Sequence, residues 1–269
     1  MDLGFRGEVV DFYHRYRRGY PPAVLDALVG AFGLGEDDVV ADLGCGTGQL
    51  TLPMARRVRA VAGVDPEPAM LERARRAASD EGVSNVSWVL ASDAEVPALA
   101  GLLGSRALGA VTIGQALHWM DHERLFPALA PLLRPGGGVA VVANGTPLWL
   151  QDTAWSRALR PFLEDWLGTR LVRTCGTDDE SRRRYADALT RSGYAVHHTD
   201  VAYEAALSAD EIVGGVYSAL PVDRLPAPGE RAAFAADVER VLAPCAPFTE
   251  QVQVSLLLGL VPRPPPVRA

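Results

Sequence analysis

The sequence predicts an α/β fold built on a doubly wound, mostly parallel sheet. Residues 39–65 read as a short apolar run, a glycine cluster, a helical pattern and a second apolar run, which is the order of a βαβ unit. Short apolar runs continue to alternate with helical patterns as far as residue 145. Residues 250–260 then alternate polar and apolar side chains with period two, which predicts a late strand.

The individual elements follow from local signals. Two prolines start a helix at residue 23, and Gly33 ends it. Predicted strands lie at residues 39–43, 60–64, 86–91, 108–114, 139–143, 195–205 and 250–260. Predicted helices lie at residues 23–32, 66–78, 125–133, 208–220 and 229–242. The tryptophan-rich segment from residue 148 has no strand to pair with, so it is expected to form a helical cap over the active site.

The end of the second strand carries a carboxylate. Asp65 follows the apolar run at residues 60–64. A carboxylate at the carboxyl end of this strand can accept hydrogen bonds from both hydroxyls of a ribose. The sequence therefore predicts a nucleoside ligand.

The glycine cluster distinguishes between nucleoside cofactors. A dinucleotide site has the spacing G-x-G-x-x-G, and here the third glycine, Gly48, comes one residue early. Asp42 also stands directly before the cluster, where its charge would repel a pyrophosphate and attract a cationic sulfonium. Both features favour S-adenosylmethionine over NAD.

At these residues the chain resembles the class I S-adenosylmethionine-dependent methyltransferases. Their motif, acidic-x-G-x-G-x-G, is matched by Asp42, Gly44, Gly46 and Gly48. The resemblance implies a transferase with a Rossmann-like sheet of seven strands, the last of them antiparallel. The tract HWMD at residues 118–121 is similar to the H-W-F-D loop of a bacterial small-molecule (type 11, ubiquinone-biosynthesis-like) subgroup.

The N-terminal segment is similar to a Y-x-x-x-R-P-x-Y-P pattern in that subgroup. Tyr13, Arg17 and Tyr20 match it, whereas Arg18 stands in place of the first proline. The resemblance implies that Tyr13 and Arg17 fold over the cofactor, with Arg17 facing the methionine carboxylate. The alternative is an ordinary amphipathic surface helix.

Further site residues are predicted from their positions next to the predicted strands and helices. Met70 is expected either against the adenine or in the core, and Asp93 either accepts the adenine amine or caps a short helix. The predicted cofactor-binding residues are Tyr13, Arg17, Asp42, Gly44, Cys45, Gly46, Gly48, Asp65, Pro66, Met70, Asp93, Ala94, Gln115 and Trp119.

The sequence signals for the site of the methyl acceptor are less specific. His118 is the expected base, since imidazole titrates near working pH, or it braces the adenine pocket beside Trp119. The predicted substrate-binding residues are Tyr20, His118, Trp119, Trp149 and Tyr217. No metal is predicted, because Gln115 and Asn144 lack the carboxylate that magnesium prefers.

Composition narrows the classes of function. The chain of 269 residues has a net charge of −7, which argues against broad nucleic-acid binding. It contains no lysine, which excludes Schiff-base and P-loop chemistry. The three cysteines match neither a disulfide framework nor a zinc site, and no segment predicts secretion or a membrane span. A cytoplasmic bacterial protein, monomeric or homodimeric, is expected.

The expected organisation is one methyltransferase domain over residues 1–269. It comprises an N-terminal lid at 1–22, cap insertions at 148–190 and 207–247, and a flexible tail at 262–269. The expected reaction is metal-independent methyl transfer to a small molecule of natural-product biosynthesis. The alternatives are a silent cofactor-binding protein, a non-methylating rearrangement, and a nicotinamide oxidoreductase. The attacked atom is left open.

Overall fold

The computed structural model describes residues 6–263, apart from the side chains of residues 99, 100, 102 and 103. Over this range the strands are β1 (Val39–Leu43), β2 (Ala60–Asp65), β3 (Val86–Leu90), β4 (Leu108–Gly114), β5 (Leu133–Asn144), β6 (Ala195–Leu207) and β7 (Phe248–Leu260). The helices are α1 (Glu8–Tyr16), α2 (Pro22–Phe32), α3 (Thr51–Ala55), α4 (Pro68–Asp80), α5 (Val96–Leu103), α6 (His122–Leu129), α7 (Ala154–Leu167), α8 (Asp179–Arg191), α9 (Ala209–Tyr217) and α10 (Arg231–Leu242).

The strands form one sheet in the order β3-β2-β1-β4-β5-β7-β6. Strands β1 to β5 pair in parallel, and β7 runs antiparallel to β5. The predicted fold class is therefore confirmed. Because β2 lies on one side of β1 and β4 on the other, the winding reverses at β1, where open α/β sheets bind their ligands.

Capping residues explain where several helices begin and end. Gly33 adopts a left-handed conformation after α2, as its position in the sequence predicts. Ser208 and Glu211 form the predicted capping box at the start of α9. The side chain of Asp121 accepts a hydrogen bond from the amide of Arg124 and caps α6. The helix therefore begins at His122, three residues before the predicted start at 125.

The glycine run before the fifth strand corrects one prediction. We expected Pro135 and the following glycines to end a helix, with the strand beginning at 139, but β5 begins at Leu133. A Cβ on Gly138 would lie 2.2 Å from the carbonyl oxygen of Gly259. The glycines therefore belong to the sheet, because only a residue without a side chain lets the two backbones approach.

The chain forms two compact units. The sheet unit comprises Gly19–Asn144, Gly176–Val201 and the segment from Val254 onward. The helical unit comprises the described residues up to Arg18, Gly145–Cys175 and Ala202–Gln253. Helix α8 belongs to the sheet unit, although the sequence assigned residues 148–190 to a cap insertion.

Each unit has its own apolar core. In the sheet unit, Val111 and Ile113 of β4 pack with Leu125 and Phe126 of α6. The core of the helical unit comes from α7, α9 and α10 and includes Trp149, Trp155, Leu159, Leu163, Val213, Val216, Tyr217, Phe234 and Val238. Among residues 6–263, no helix combines the length and apolar character needed to cross a bilayer.

Helix α1 is fastened to the helical unit. The ring of Tyr16 lies against Gly214, where an added Cβ would meet three ring atoms at 2.4 Å. The Tyr16 hydroxyl donates to Asp210 at 3.1 Å, and Arg231 donates to both carboxylate oxygens of Glu8. Of the predicted lid, residues 6–18 thus belong to the helical unit and residues 19–22 to the sheet unit. Residues 1–5 of the lid and residues 264–269 of the predicted tail lie outside the described range.

Candidate cofactor site

The loop after β1 is folded on its own hydrogen bonds. The amides of Gly44 and Cys45 donate to the carbonyl of Val64 at 2.8 and 3.0 Å, and the amide of Gly46 donates to Asp65 at 2.8 Å. A phosphate site needs several such amides directed at the ligand. Since these three amides are already used, the loop is poorly suited to a pyrophosphate.

Gly44 is required by close packing as well as by its backbone. Its φ is 67°, and a Cβ there would lie 2.4 Å from the Cβ of Ala116. The loop after β1 therefore lies directly against the loop after β4. Cys45, predicted to bind cofactor, is 6 % exposed, and burial raises the pKa of its thiol well above the ordinary value.

Asp65 lies at the end of β2, as predicted, and is 7 % exposed. One carboxylate oxygen accepts from Gly46, and the other accepts from the amide of Glu67 at 2.9 Å. Burial raises the pKa of Asp65, and the two amide bonds oppose that effect. Each oxygen keeps a second lone pair, so the carboxylate can both brace the loop and accept two hydroxyls.

Asp42 is buried more deeply, at 2 % exposed. The hydroxyls of Thr51 and Thr112 donate to its two oxygens at 2.5 and 2.7 Å, partners that sequence reasoning missed. Burial raises the pKa of Asp42 to about 6, and the threonine bonds lower it. Its predicted attraction for a cation stays a prediction.

This raised pKa predicts a measurable effect of pH on stability. In the unfolded chain the carboxyl titrates near pH 3.9, and in the folded protein near 6. The native state then holds the extra proton between these values, so the contribution of Asp42 to stability is complete below about pH 4 and is lost as pH rises through 6. Urea unfolding should show Asp42→Asn gaining on the order of 2–3 kcal/mol relative to wild type between pH 4 and pH 7. A difference that does not vary with pH would contradict the assignment.

The loops after β3 and β4 are joined at Asp93. One carboxylate oxygen of Asp93 accepts from the amide of Asp121 at 2.9 Å. The alternative role of Asp93 as a helix cap is wrong, because Ser92 is the N-cap of that turn. The side chain of Glu95 accepts a hydrogen bond from the backbone amide of Ser92, which completes a capping box. Its predicted contact with the adenine amine stays a prediction.

Apolar surface is exposed at this same edge. Leu90, the last residue of β3, is 59 % exposed and pairs with Asp65 across the two strands. Trp119 is 41 % exposed. These are the exposed large apolar side chains among the described residues of the sheet unit. Sequence reasoning missed Leu90, although an apolar residue at the end of a strand beside Asp65 was a usable signal.

The remaining predicted cofactor residues of the sheet unit divide by exposure. Pro66 and Ala94 are exposed at the ends of β2 and β3. Met70 is 3 % exposed on α4, a degree of burial that agrees with core packing. Its contact with adenine stays a prediction.

The loop after β4 carries the acceptor-side residues. His118 is half-buried, and its ring packs against Trp119 with centroids 4.9 Å apart. The hydroxyl of Tyr20 lies 2.6 Å from the point that a Cβ on Gly114 would occupy. The structure thus brings Tyr20 to the carboxyl end of β4, the edge that the sequence assigned to the acceptor.

Four predicted site residues lie in the helical unit. Arg17 donates to the carbonyl of Ser218 at 3.4 Å, and its guanidinium lies 5.2 Å from the ring centre of Tyr13. Trp149 and Tyr217 are 8 % and 5 % exposed and belong to the core of the unit. Their roles toward cofactor and substrate stay predictions.

Arg18, the departure from the N-terminal pattern, has a structural partner. It donates at 2.5 Å to the carboxylate of Glu250, which is 1 % exposed and also accepts from Gln151 at 2.8 Å. This partly buried ion pair holds the segment in place without the proline. The partners are 232 residues apart, so no local pattern could indicate the pair.

Three buried polar atoms of the sheet unit lie at the carboxyl ends of its strands without a hydrogen-bond partner among the described residues. They are Oγ1 of Thr47, Nε2 of Gln49 and Oδ1 of Asn144. Such atoms are uncommon in native structures, where a bound water, ion or ligand usually satisfies them. Within residues 6–263, no group of three His, Cys, Asp or Glu side chains could hold a metal ion.

A family model described as a methyltransferase domain matches residues 40–137, the range that contains the glycine loop, Asp65, Asp93 and Gln115. Those residues are similar to a methyltransferase domain. The recognition made from the sequence is thereby confirmed for this part of the chain.

Curated proteins of similar sequence are also named as methyltransferases. An uncharacterized methyltransferase from Mycobacterium tuberculosis is 39 % identical over 144 residues, covering 54 % of this chain and 53 % of that protein. Trans-aconitate 2-methyltransferase from Escherichia coli is 34 % identical over 135 residues, covering 49 % of this chain and 48 % of that protein. The match thus spans about half the length of these relatives.

A solved structure shares the fold. The structure of a putative type II methyltransferase from Anaeromyxobacter dehalogenans aligns with a TM-score of 0.58 and 21 % identity. The alignment covers 93 % of this chain and all of the other. At that identity the likeness supports the Rossmann-like fold and nothing finer.

Proposed function

We propose that the protein is an S-adenosylmethionine-dependent methyltransferase acting on a small molecule. The observation that carries the proposal is the glycine loop after β1. Its amides at Gly44, Cys45 and Gly46 are used internally, and the carboxylates of Asp42 and Asp65 nearby are buried. A site with negative groups and few available amides favours a cationic nucleoside over a dinucleotide.

The residues present fit this cofactor. Asp65 offers lone pairs to the ribose, Asp93 offers an acceptor to the adenine amine, and the exposed faces of Leu90 and Trp119 supply apolar surface for the base. The partnerless atoms of Thr47 and Gln49 lie in the loop itself. When bound, the cofactor supplies a methyl group on a positively charged sulfur, a leaving group that needs no further activation.

The protein's own chemistry is then orientation and, for some acceptors, proton removal. Positioning of the two reactants contributes much of the acceleration in such a displacement. His118 is the proposed base, because it lies in the loop after β4, where Trp119 packs against its ring. A reaction that needs no base leaves His118 the role of bracing the pocket.

The proposal is tested first by binding. Calorimetry in the presence of a metal chelator should show S-adenosylmethionine and S-adenosylhomocysteine binding, and NAD should not compete. Binding of NAD alone would replace this function with that of an oxidoreductase. Mass spectrometry of labelled cofactor with metabolites from neighbouring biosynthetic genes then separates methyl transfer from a rearrangement or a silent protein. A place in natural-product metabolism is part of this proposal.

The proposed role of Arg17 predicts a selective loss of affinity. S-adenosylhomocysteine carries the amino-acid carboxylate, and 5′-methylthioadenosine lacks it. Arg17→Ala should weaken S-adenosylhomocysteine by about tenfold or more, the scale of a hydrogen bond to a charged group, and leave methylthioadenosine unchanged. Arg15→Ala is the matched control, since Arg15 is a neighbouring exposed arginine. Equal losses for both ligands would assign Arg17 a structural role instead.

A further inference from the structure

The ends of β4 and β5 are joined by Gln115. Its side-chain nitrogen donates to the main-chain oxygen of Asn144 at 3.1 Å, and its amide donates to the carbonyl of Val142 at 2.9 Å. Gln115 has a φ of 55°, a left-handed conformation that non-glycine residues seldom adopt. Strain of this kind persists where surrounding bonds enforce it, and it concentrates at ligand sites.

The side-chain amide of Asn144 has a fixed orientation. Its Nδ2 donates to the carbonyl of Gly19 at 3.1 Å. Because a carbonyl can only accept, the nitrogen must face Gly19 and the oxygen must point away from it. That oxygen is buried and has no donor in the part of the chain that the structure describes, although Asn144 as a whole is only half-buried. An unsatisfied buried acceptor is unfavourable, so a group that donates a hydrogen bond to it is stabilised there.

A second polar side chain reaches the same edge. Tyr20 follows Gly19, the residue bound by Asn144, and its hydroxyl lies over Gly114 at the end of β4. A side chain at Gly114 would displace that hydroxyl, since its Cβ would be 2.6 Å away. An amide oxygen and a phenol therefore flank the ends of the two strands.

The order of strands separates Asn144 and Tyr20 from the proposed cofactor site. Asp93 follows β3, Asp65 ends β2 and the glycine loop follows β1, so a nucleoside held by these residues lies on the β3 side. Strands β4 and β5 come next, and neighbouring strands are about 4.8 Å apart. The end of β5 is thus roughly 10 Å past the glycine loop, on the side away from the proposed nucleoside.

We propose that Asn144 recognises the methyl acceptor, with its Oδ1 accepting a hydrogen bond from an O–H or N–H group of that molecule. This inference rests on the proposed function and adds a substrate class to it. A carboxylate or phosphate at neutral pH offers only lone pairs and leaves Oδ1 unsatisfied. The acceptor is therefore a hydroxyl- or amine-bearing molecule, and Asn144 binds that group.

Two variants separate recognition from structure. Asn144→Leu and Asn144→Asp both lose the nitrogen that donates to Gly19, and Asn144→Asp also places an acceptor against that carbonyl, so its structural loss is at least as large. Of the two, only Asn144→Asp keeps an oxygen that accepts from a ligand. A loss confined to Asn144→Leu is then a loss of recognition.

The probes are phenol, anisole and benzoate, which share a ring and differ in their polar group. The isotope-labelled protein is saturated with S-adenosylhomocysteine, and the side-chain amide signal of Gln115 is followed during titration with each probe. Phenol should shift this signal saturably in wild type and in Asn144→Asp, and bind about tenfold more weakly to Asn144→Leu. Anisole and benzoate should leave it in place.

Each other outcome overturns the inference. Equal shifts with phenol and anisole, a shift with benzoate, or unchanged phenol binding in Asn144→Leu would mean that Oδ1 recognises no donor. A Gln115 signal indifferent to phenol would mean that Asn144 binds internal water only. Failure of the wild-type protein to bind S-adenosylhomocysteine would instead remove the proposed function itself, and the binding step before the titration shows which has failed.

Discussion

Asp65→Ala should weaken the binding of S-adenosylhomocysteine by about 3 kcal/mol, or more than 100-fold, in a calorimetric titration. The substitution removes the proposed acceptor of the ribose hydroxyls. It also releases the amides of Gly46 and Glu67, both of which donate to this carboxylate, so the glycine loop loses its brace. Both losses weaken the binding of the same ligand, so the expected effect is large.

Asp65→Asn should be nearly as harmful. Both oxygens of Asp65 accept from backbone amides, so an asparagine must direct its NH₂ group at one of two N–H donors. Asp80→Ala, at the exposed end of α4, is the matched control and should keep full affinity. If Asp65→Ala binds as wild type does, Asp65 braces the loop without touching the ligand.

Gly214→Ala should release α1 from the helical unit. An alanine Cβ would lie 2.4 Å from three atoms of the Tyr16 ring, and the ring belongs to a packed helix that cannot shift without losing its contacts. Overpacking of this kind costs about 1–3 kcal/mol. Limited proteolysis should then cut the segment before Arg18 much faster than in wild type.

Two further variants control for helix propensity and for the contact itself. Gly30→Ala lies in α2 with open space around its Cβ, and it should stabilise the protein by about 0.5–1 kcal/mol. Adding Gly214→Ala to Tyr16→Ala should cost little more than Tyr16→Ala alone, because the ring that clashes is gone. Faster cleavage in Gly30→Ala, or full additivity in the double variant, would refute the proposed clash.

Much of the fold could be predicted because its signals are local. The strand ends at Leu43 and Gly114, the cap at Ser208 and the stop at Gly33 each follow from a few neighbouring residues. The start of β5 could not be predicted, since Gly138 reads as a turn residue until Gly259 is known to lie against it. The sequence contains no local record of that distant approach.

The residues of the candidate site likewise fall into those that local sequence signals predict and those that depend on distant contacts. Asp65 was placed correctly because a carboxylate at the end of β2 has a characteristic sequence position. The threonine partners of Asp42 and the pairing of Arg18 with Glu250 depend on residues brought together only by folding. The orientation of the Asn144 amide belongs to this second kind, because it depends on a hydrogen bond to Gly19, 125 residues away.

The docking of α1 on α9 has a consequence for synthesis on the ribosome. The contacts of α1 with Asp210, Ser218 and Arg231 join residues that are 194, 201 and 223 positions apart. At about 5–20 residues per second, the ribosome needs roughly 10–40 s to make the intervening chain. Throughout that interval Val9 and Val10, buried in the finished protein, have no binding surface. Helix α1 is therefore among the last of the described helices to dock, and nascent chains stalled before residue 210 are expected to recruit chaperones through it.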